Sequence, residues 1–290
     1  MGKDIKGRLL VLCAAFLWST SSLFIKKIPA HPLFITFARA AIAGLTLLPF
    51  IQLKRIRLNK YLFGYIIIST ITVSTFVIAN KLTTAANVIA LQYTAPLYLF
   101  IYTIFTKKEI LGYHNTIPII CVTIGISLFL MEPNQDSSSL GNIIALSSGM
   151  AMAIGMIFLH LLSNQSAVEI VSLTNLGTAL LILPFIPSII STISSLEIKE
   201  WLYLFYLGAI QIGLAYLLFT NGLKYINPLN ASIITLTEAI FNPLWVFFFL
   251  GERPSIYGLV GGVIILASVA SDALFRRKAL KNKKSYSLSS

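Results

Sequence analysis

Residues 235–251 read TLTEAIFNPLWVFFFLG, and a single carboxylate, Glu238, stands inside the run with no other charge between Lys224 and Glu252. A segment this apolar is a membrane helix, and Glu238 falls near its centre. A carboxylate at that depth costs several kcal/mol unless it is paired, protonated or turned toward a water-filled cavity. A chain that keeps such a group is expected to use it, and the use that fits is moving something polar across the bilayer.

The rest of the chain is built the same way. It has 290 residues, 57% apolar and only 11% charged, with a mean hydropathy of +0.84. Soluble domains carry about 25% charged residues. The charges sit in short clusters, and between them lie runs able to cross roughly 30 Å of hydrocarbon, which takes about 20 helical residues. Ten spans are predicted, at 9–27, 32–52, 61–80, 84–105, 115–131, 139–161, 170–188, 201–221, 228–250 and 256–275. Pro184 and Pro187 blur the end of the seventh. The runs are too long and continuous for barrel strands, which read as about ten-residue alternating segments. The first span follows Lys3, Lys6 and Arg8 as a signal peptide would, but it is longer than a usual signal core and lacks a cleavage site before Lys26, so it reads as a retained helix.

Lysine and arginine set the orientation. With the N-terminus inside, sixteen of them fall on the inner side, including Lys54, Arg55, Arg57, Lys107, Lys108 and six from Arg276 to Lys284. Five fall outside: Lys26, Lys27, Lys81, Lys199 and Arg253. This bias predicts cytoplasmic termini and an even number of spans. It also accounts for the net charge of +12, and no aromatic-basic pattern points to nucleic acid. Cys13 and Cys121 lie in predicted spans, suit neither a disulfide framework nor a metal site, and read as small packing residues.

The second half echoes the first. A shift of 143 residues aligns Lys81 with Lys224, Asn87 with Asn230, Thr94 with Thr237 and Glu109 with Glu252; a shift of 134 aligns Gly7 with Gly141. The spans divide five and five at the loop 132–138, EPNQDSS. Because five is odd, two such units enter the membrane from opposite sides, which is the inverted-repeat plan of secondary transporters. The expected fold is therefore all-α and integral to the membrane: ten transmembrane helices in two inverted five-helix repeats, 1–131 and 139–275, with a basic cytoplasmic tail at 276–290.

Several stretches then carry a resemblance. They are AAFLWSTSSLFIKK at 14–27, FARAAIAGLTLLP at 37–49, AANVIALQYTAPLYLFIYTIFTKKE at 85–109 and GLKYINPLNASIITLTEAIFNPLWVFFFLGERPSIYGLVGGVIILASV at 222–269. On these the chain resembles the drug/metabolite transporter superfamily, specifically the EamA-type transporters with ten helices. The resemblance implies a multi-pass transporter of the inner (plasma) membrane, often an exporter of amino acids or related metabolites, with both termini cytoplasmic. It also implies a central cavity lined by both halves. Members commonly have Pro after the glutamate of the ninth helix, where this chain has Ala239; Pro96 holds the matching place in the fourth. Gly often follows the first-helix Trp, where this chain has Ser19.

Two ionic groups lie deep. Arg39 is seven residues into the second span, about 10 Å below the surface by helical rise. Three readings stand for it: a guanidinium that snorkels back to the interface, a cavity cation for a carboxylate or phosphate, or an internal partner of Glu238. Glu238 is open to four: it binds a substrate amine, takes up a coupling proton, neutralises Arg39, or braces a neighbouring helix. No second carboxyl is comparably deep, so a two-carboxylate relay is not expected. Trp18, Gln92, Tyr93, Asn175 and Gln211 add polar or amphipathic groups at span depth and complete the candidate site. Tyr216 and Asn221 read instead as interfacial anchors or interhelical bonds. Trp245 with Phe247, Phe248 and Phe249 reads as lipid-facing belt or packing, and Glu252 and Glu109 as helix ends that pair with nearby cations.

An enzyme is not expected. His31, His114 and His160 form no HExxH pair, GGVIILAS is no phosphate loop, and no catalytic, metal or cofactor residue is predicted. The reading is a secondary transporter of small polar metabolites working by alternating access, foremost an amino-acid exporter. The alternatives are an exchanger or importer of phosphorylated or nucleoside-containing metabolites, and, in another class, a scaffold or a channel. Expected partners are the lipid bilayer, a small-molecule substrate and, as coupling partner, a proton or a counter-substrate; no obligate protein partner is expected.

Overall fold

The computed structural model describes residues 2–52, 58–95, 97–99, 101–102, 120–121, 123–128, 138–162, 164–192, 196–226, 231, 234–268 and 271. Most of the predicted fifth span, the dividing loop, Pro96, Glu109, Asn230 and the tail lie outside them. The described chain is an all-α, multi-pass membrane fold. Six helical segments are long and apolar enough to cross a bilayer: Lys3–Lys27, Pro32–Phe50, Lys60–Leu82, Ser139–Leu161, Ala167–Ser188 and Ile198–Gly222. Two shorter apolar helices follow, Thr237–Leu250 and Ile256–Ser268.

The sequence starts and stops these helices locally. α1 (Lys3–Ser19) and α2 (Ser21–Lys27) form one span with a step at Thr20. α3 (Pro32–Leu47) begins on proline, whose missing N–H is no loss at a first turn, and His31 Nδ1 accepts from Leu33 N at 3.3 Å. Asn59 caps α4 (Lys60–Leu82), Thr84 caps α5 (Ala85–Gln92) and Ser138 caps α6 (Ser139–Leu161), each through a side-chain oxygen. α7 (Ala167–Ile182) tightens into a 3₁₀ segment, Leu183–Thr192, where Pro184 and Pro187 deny it backbone donors. The next span combines α8 (Ile198–Phe205), a π-helical stretch Tyr206–Leu214 and α9 (Ala215–Gly222). α10 (Thr237–Leu250) ends at Gly251, whose φ of 71° is the left-handed conformation glycine takes without strain. α11 is Ile256–Ser268.

Three helices are interrupted at mid-span, and each break has a hydroxyl beside it. Thr20 Oγ1 donates to Leu17 O at 2.7 Å, Thr94 Oγ1 to Leu91 O at 2.6 Å and Thr237 Oγ1 to Ile234 O at 2.7 Å. Such back-bonding competes with the helical ladder and bends it. The turns at Tyr93–Thr94 and at Leu236 fall at positions related by the same 143-residue shift seen in the sequence.

Packing differs between the two ends. The end bearing Lys26 is filled by a continuous core that includes Ile25, Ile28, Phe34, Ile35, Phe76, Val77, Leu91, Leu204 and Leu207. At the other end the contacts are smaller clusters, Leu62 with Leu162 and Ile170, and Val11 with Ile226. Trp245 packs inward, its Nε1 donating to Ser19 Oγ at 2.9 Å, while Phe248 and Phe249 face outward. The packing role expected of Cys13 is corrected: its thiol is exposed beside Leu9, Leu12 and Phe16, on a surface that lipid covers.

Close helix contact centres on glycines, and Gly208 carries a first prediction. A Cβ there would stand 2.5 Å from Ile42 Cβ and 2.8 Å from Arg39 O. Neither neighbour is the free end of a flexible chain, so α3 must move. Gly208→Ala is expected to lose about 1–3 kcal/mol of stability, read as a lower midpoint in thermal unfolding of the detergent-solubilised protein. An unchanged midpoint would show that the contact between α3 and the π stretch is loose.

Candidate functional site

The broken helices frame a cavity of about 250 Å³. Six of the seven residues singled out in the sequence line it: Trp18, Arg39, Gln92, Asn175, Gln211 and Glu238. They come from six different spans, and the folding of those spans against one another brings them together. Tyr93, the seventh, reaches the same place indirectly, its hydroxyl lying 3.3 Å from Glu238 Oε2 and 3.2 Å from Thr235 O.

Arg39 does not snorkel. It is 6% exposed, and Nη2 donates to Gln211 Oε1 at 3.4 Å. Gln211 Nε2 in turn donates to Trp18 O at 3.4 Å, next to the helix step at Thr20. Arg39 Nη1 is buried and donates to no acceptor among the described residues. Neither a hydrogen bond nor an ion pair joins Arg39 to Glu238 among the described residues, although both face the same small volume. A buried guanidinium without a counter-charge is costly, and truncating or pairing such groups is worth several kcal/mol. The cavity therefore presents a guanidinium with an unused donor at one place and a carboxylate at another.

The neutral groups are held by their neighbours. Gln92 Nε2 donates to Ser148 Oγ at 3.0 Å, and that hydroxyl donates to Thr72 O at 3.0 Å. Asn175 Nδ2 donates to Val171 O at 2.8 Å. Trp18 meets Tyr216 edge to face, centroids 5.1 Å apart. That placement corrects the expectation for Tyr216, which is a cavity wall rather than an interfacial anchor. Asn221 stays exposed, bonding to Leu217 O and accepting from Lys224.

Sequence reasoning missed Tyr65, Ser69, Thr174 and Thr178, which also line the cavity. Helical period was the available signal. Val171, Thr174, Asn175 and Thr178 follow an i, i+3, i+4, i+7 pattern, so naming Asn175 already designated that face. Tyr65, Ser69 and Phe76 share the inner face of α4 in the same way. The buried Thr174 Oγ1, like Arg39 Nη1, has no partner among the described residues. Among the described residues no three metal-ligating side chains gather.

A multi-pass helical protein whose interrupted helices enclose a charged mid-membrane cavity is of the carrier class. The chain belongs to the EamA-like transporter family, whose model matches residues 5–131 and again 139–271. It is similar to an uncharacterized transporter of Archaeoglobus fulgidus, 25% identical over 265 residues that cover 91% of this chain and 94% of that protein. It is also similar to the uncharacterized inner membrane transporter YicL of Salmonella typhimurium, 25% identical over 96% of this chain and 98% of that one. A solved crystal structure covers 94% of this chain and 98% of its own with a TM-score of 0.63; at 18% identity it speaks for the fold.

Proposed function

We propose that this protein is a secondary transporter of small amphoteric metabolites, amino acids foremost, that works by alternating access in the inner membrane and exports its substrate. The observation that carries the substrate class is the separation of Arg39 from Glu238. One cation with an unused donor and one carboxylate face one cavity without neutralising each other. A ligand bearing a carboxylate and an amine satisfies both groups at once. A phosphorylated ligand would bring two negative charges to a cavity whose lining among the described residues offers one cation, Arg39, and would leave Glu238 repelling it. The volume of about 250 Å³ suits a molecule of amino-acid size.

The architecture we propose is ten helices in two inverted five-helix repeats, with the second starting at 139. It is supported by the double family match, the 143-residue repeat and the helix breaks that obey the same shift. Cytoplasmic termini follow from the Lys and Arg bias, which puts the Lys26 end outside. The relative named as an inner membrane transporter supports the location. A carrier runs whichever way the gradients drive it, so export requires that the gradients of substrate and coupling partner favour the outward direction.

The test is a panel. Purified protein is titrated with amino acids, their decarboxylated amines, their deaminated acids, phosphorylated sugars and nucleosides, and then assayed for flux in proteoliposomes. Saturable flux with amino acids bound more tightly than either half-molecule is expected. Tighter binding of phosphorylated sugars or nucleosides would overturn the substrate class, and flux without saturation would replace the carrier by a channel.

A further inference from the structure

We infer that Lys26 and Glu252 are the latch of an outer gate, and that the conformation described here is closed to the outside and open toward the cytoplasm. The inference rests on the transport reading and the orientation given above. Its first support is where the ion pairs lie. Lys26 Nζ stands 2.6 Å from Glu252 Oε2, both side chains only 16% exposed. Among the described residues it is the one ion pair that joins separate spans; Arg8 with Asp4, and Lys199 with Glu197 and Glu200, are local in sequence and at least half-exposed on one side.

The pair does more than attract. Glu252 Oε1 accepts from Ala85 N at 2.6 Å, so it also satisfies the first turn of α5. Lys26 Nζ donates to Thr83 O at 2.8 Å, and Lys81 Nζ donates to Ile28 O. The ends of α2, α4 and α10 and the start of α5 are thus tied at one point. α2 belongs to the first half of the chain and α10 to the second, so the two halves cannot part on this side without breaking the pair. Beneath it the space is filled: Phe24 packs on Tyr206 and Tyr203, centroids 4.5 and 5.2 Å away, and Leu23 packs with Val246.

The cavity lies on the other side of this seal. Its walls on α4 run from Tyr65 and Ser69, near the Lys60 end, to Val73 and Phe76; on α7 they are Val171, Thr174, Asn175 and Thr178 of a helix that starts at Ala167. Gln211 and Tyr216 are in the second half of the Ile198–Gly222 segment. Trp18, Ser21, Arg39 and Gln92 bring the cavity up to the underside of the seal, and Tyr65, Val171 and Tyr216 carry it toward the cytoplasmic ends. A central cavity that reaches toward one side while packing and a buried ion pair close the other is the geometry of one end-state of alternating access. Weakening a contact made in one state alone shifts the population toward the other.

The experiment reads access, not flux. In a Cys13→Ser, Cys121→Ser background, Ser69→Cys reports from the cavity wall and is labelled by a membrane-impermeant charged maleimide in right-side-out and inverted vesicles. Labelling from the cytoplasmic side is expected to be at least roughly tenfold faster than from outside. Glu252→Gln keeps an oxygen for Ala85 N and removes the charge; it is expected to raise outside labelling several-fold and lower inside labelling, whereas Lys26→Arg, which keeps the pair, leaves both as in the parent. Lys26→Gln gives a second route to the same loss if Glu252→Gln does not fold. Outside labelling as fast as inside in the parent, or rates unmoved by both charge-removing variants, would overturn the latch. The panel on the parent protein tests the transport reading separately, so a latch that operates in a protein carrying none of the panel would count against that reading alone.

Discussion

Arg39→Gln is expected to weaken binding of every carboxylate-bearing ligand and to leave amines without a carboxylate nearly unchanged. The guanidinium is buried, it is fastened through Nη2 to Gln211, and Nη1 is left for something else. Removing one partner of a buried, hydrogen-bonded charge pair costs roughly 2–5 kcal/mol, which at about 1.4 kcal/mol per decade is at least some thirtyfold in Kd. Glutamine retains a donor but no fixed charge, so the loss measures the charge. Titration of the variant with an amino acid and with its decarboxylated amine separates the outcomes. Equal weakening of both would mean that the mutation had loosened the cavity through Gln211 and Trp18, and no weakening of either would take Arg39 out of the site.

Glu238→Gln is the complementary change and is expected to invert the preference. The amide keeps the size of the carboxyl and still offers an oxygen to the Tyr93 hydroxyl, 3.3 Å away in the parent, so the protein is expected to fold. Amine-bearing substrates lose their counter-charge, and flux of the amino acid is expected to fall by about the same thirtyfold or more. Deaminated acids, which gain nothing from Glu238, are expected to bind as well as before or better, because a buried like charge has gone. Proteoliposome flux and equilibrium binding are both needed: unchanged flux and unchanged amine affinity would make Glu238 a brace for the helix break at Leu236. The variant also contrasts with Glu252→Gln, whose carboxyl does not line the cavity and whose loss is expected to move access and not ligand charge preference.

The membrane character of the chain was legible because apolar length is a local property. A bilayer demands about 20 apolar helical residues, and predicted boundaries such as 139–161 coincide with α6, Ser139–Leu161. The sequence also aligned Thr94 with Thr237, and each stands beside a break in its helix. The step at Thr20 and the π stretch Tyr206–Leu214 were not read. Both depend on which carbonyls a neighbour can leave unpaired, and that is a tertiary condition.

Arg39 and Glu238 could be named from depth alone, because any ionic group in mid-membrane demands an explanation. Their relation could not. Three readings of Arg39 stood open in the sequence; the packing of α3 against α7 and the π stretch buries the guanidinium and turns it onto Gln211. Tyr216 and Tyr65 escaped for a related reason: a tyrosine reads alike on a lipid-facing stripe and on a cavity wall until its neighbours are known. Lys26 and Glu252 were legible only as charges at helix ends; that they meet at 2.6 Å, 226 residues apart in the chain, was decided by the fold. Composition and apolar length by themselves determined that this protein spans a membrane with helices and that a few polar groups are out of place there. Which of those groups face one another only the tertiary structure decided, because hydropathy reports depth in the bilayer and carries no information on rotation about a helix axis relative to its neighbours.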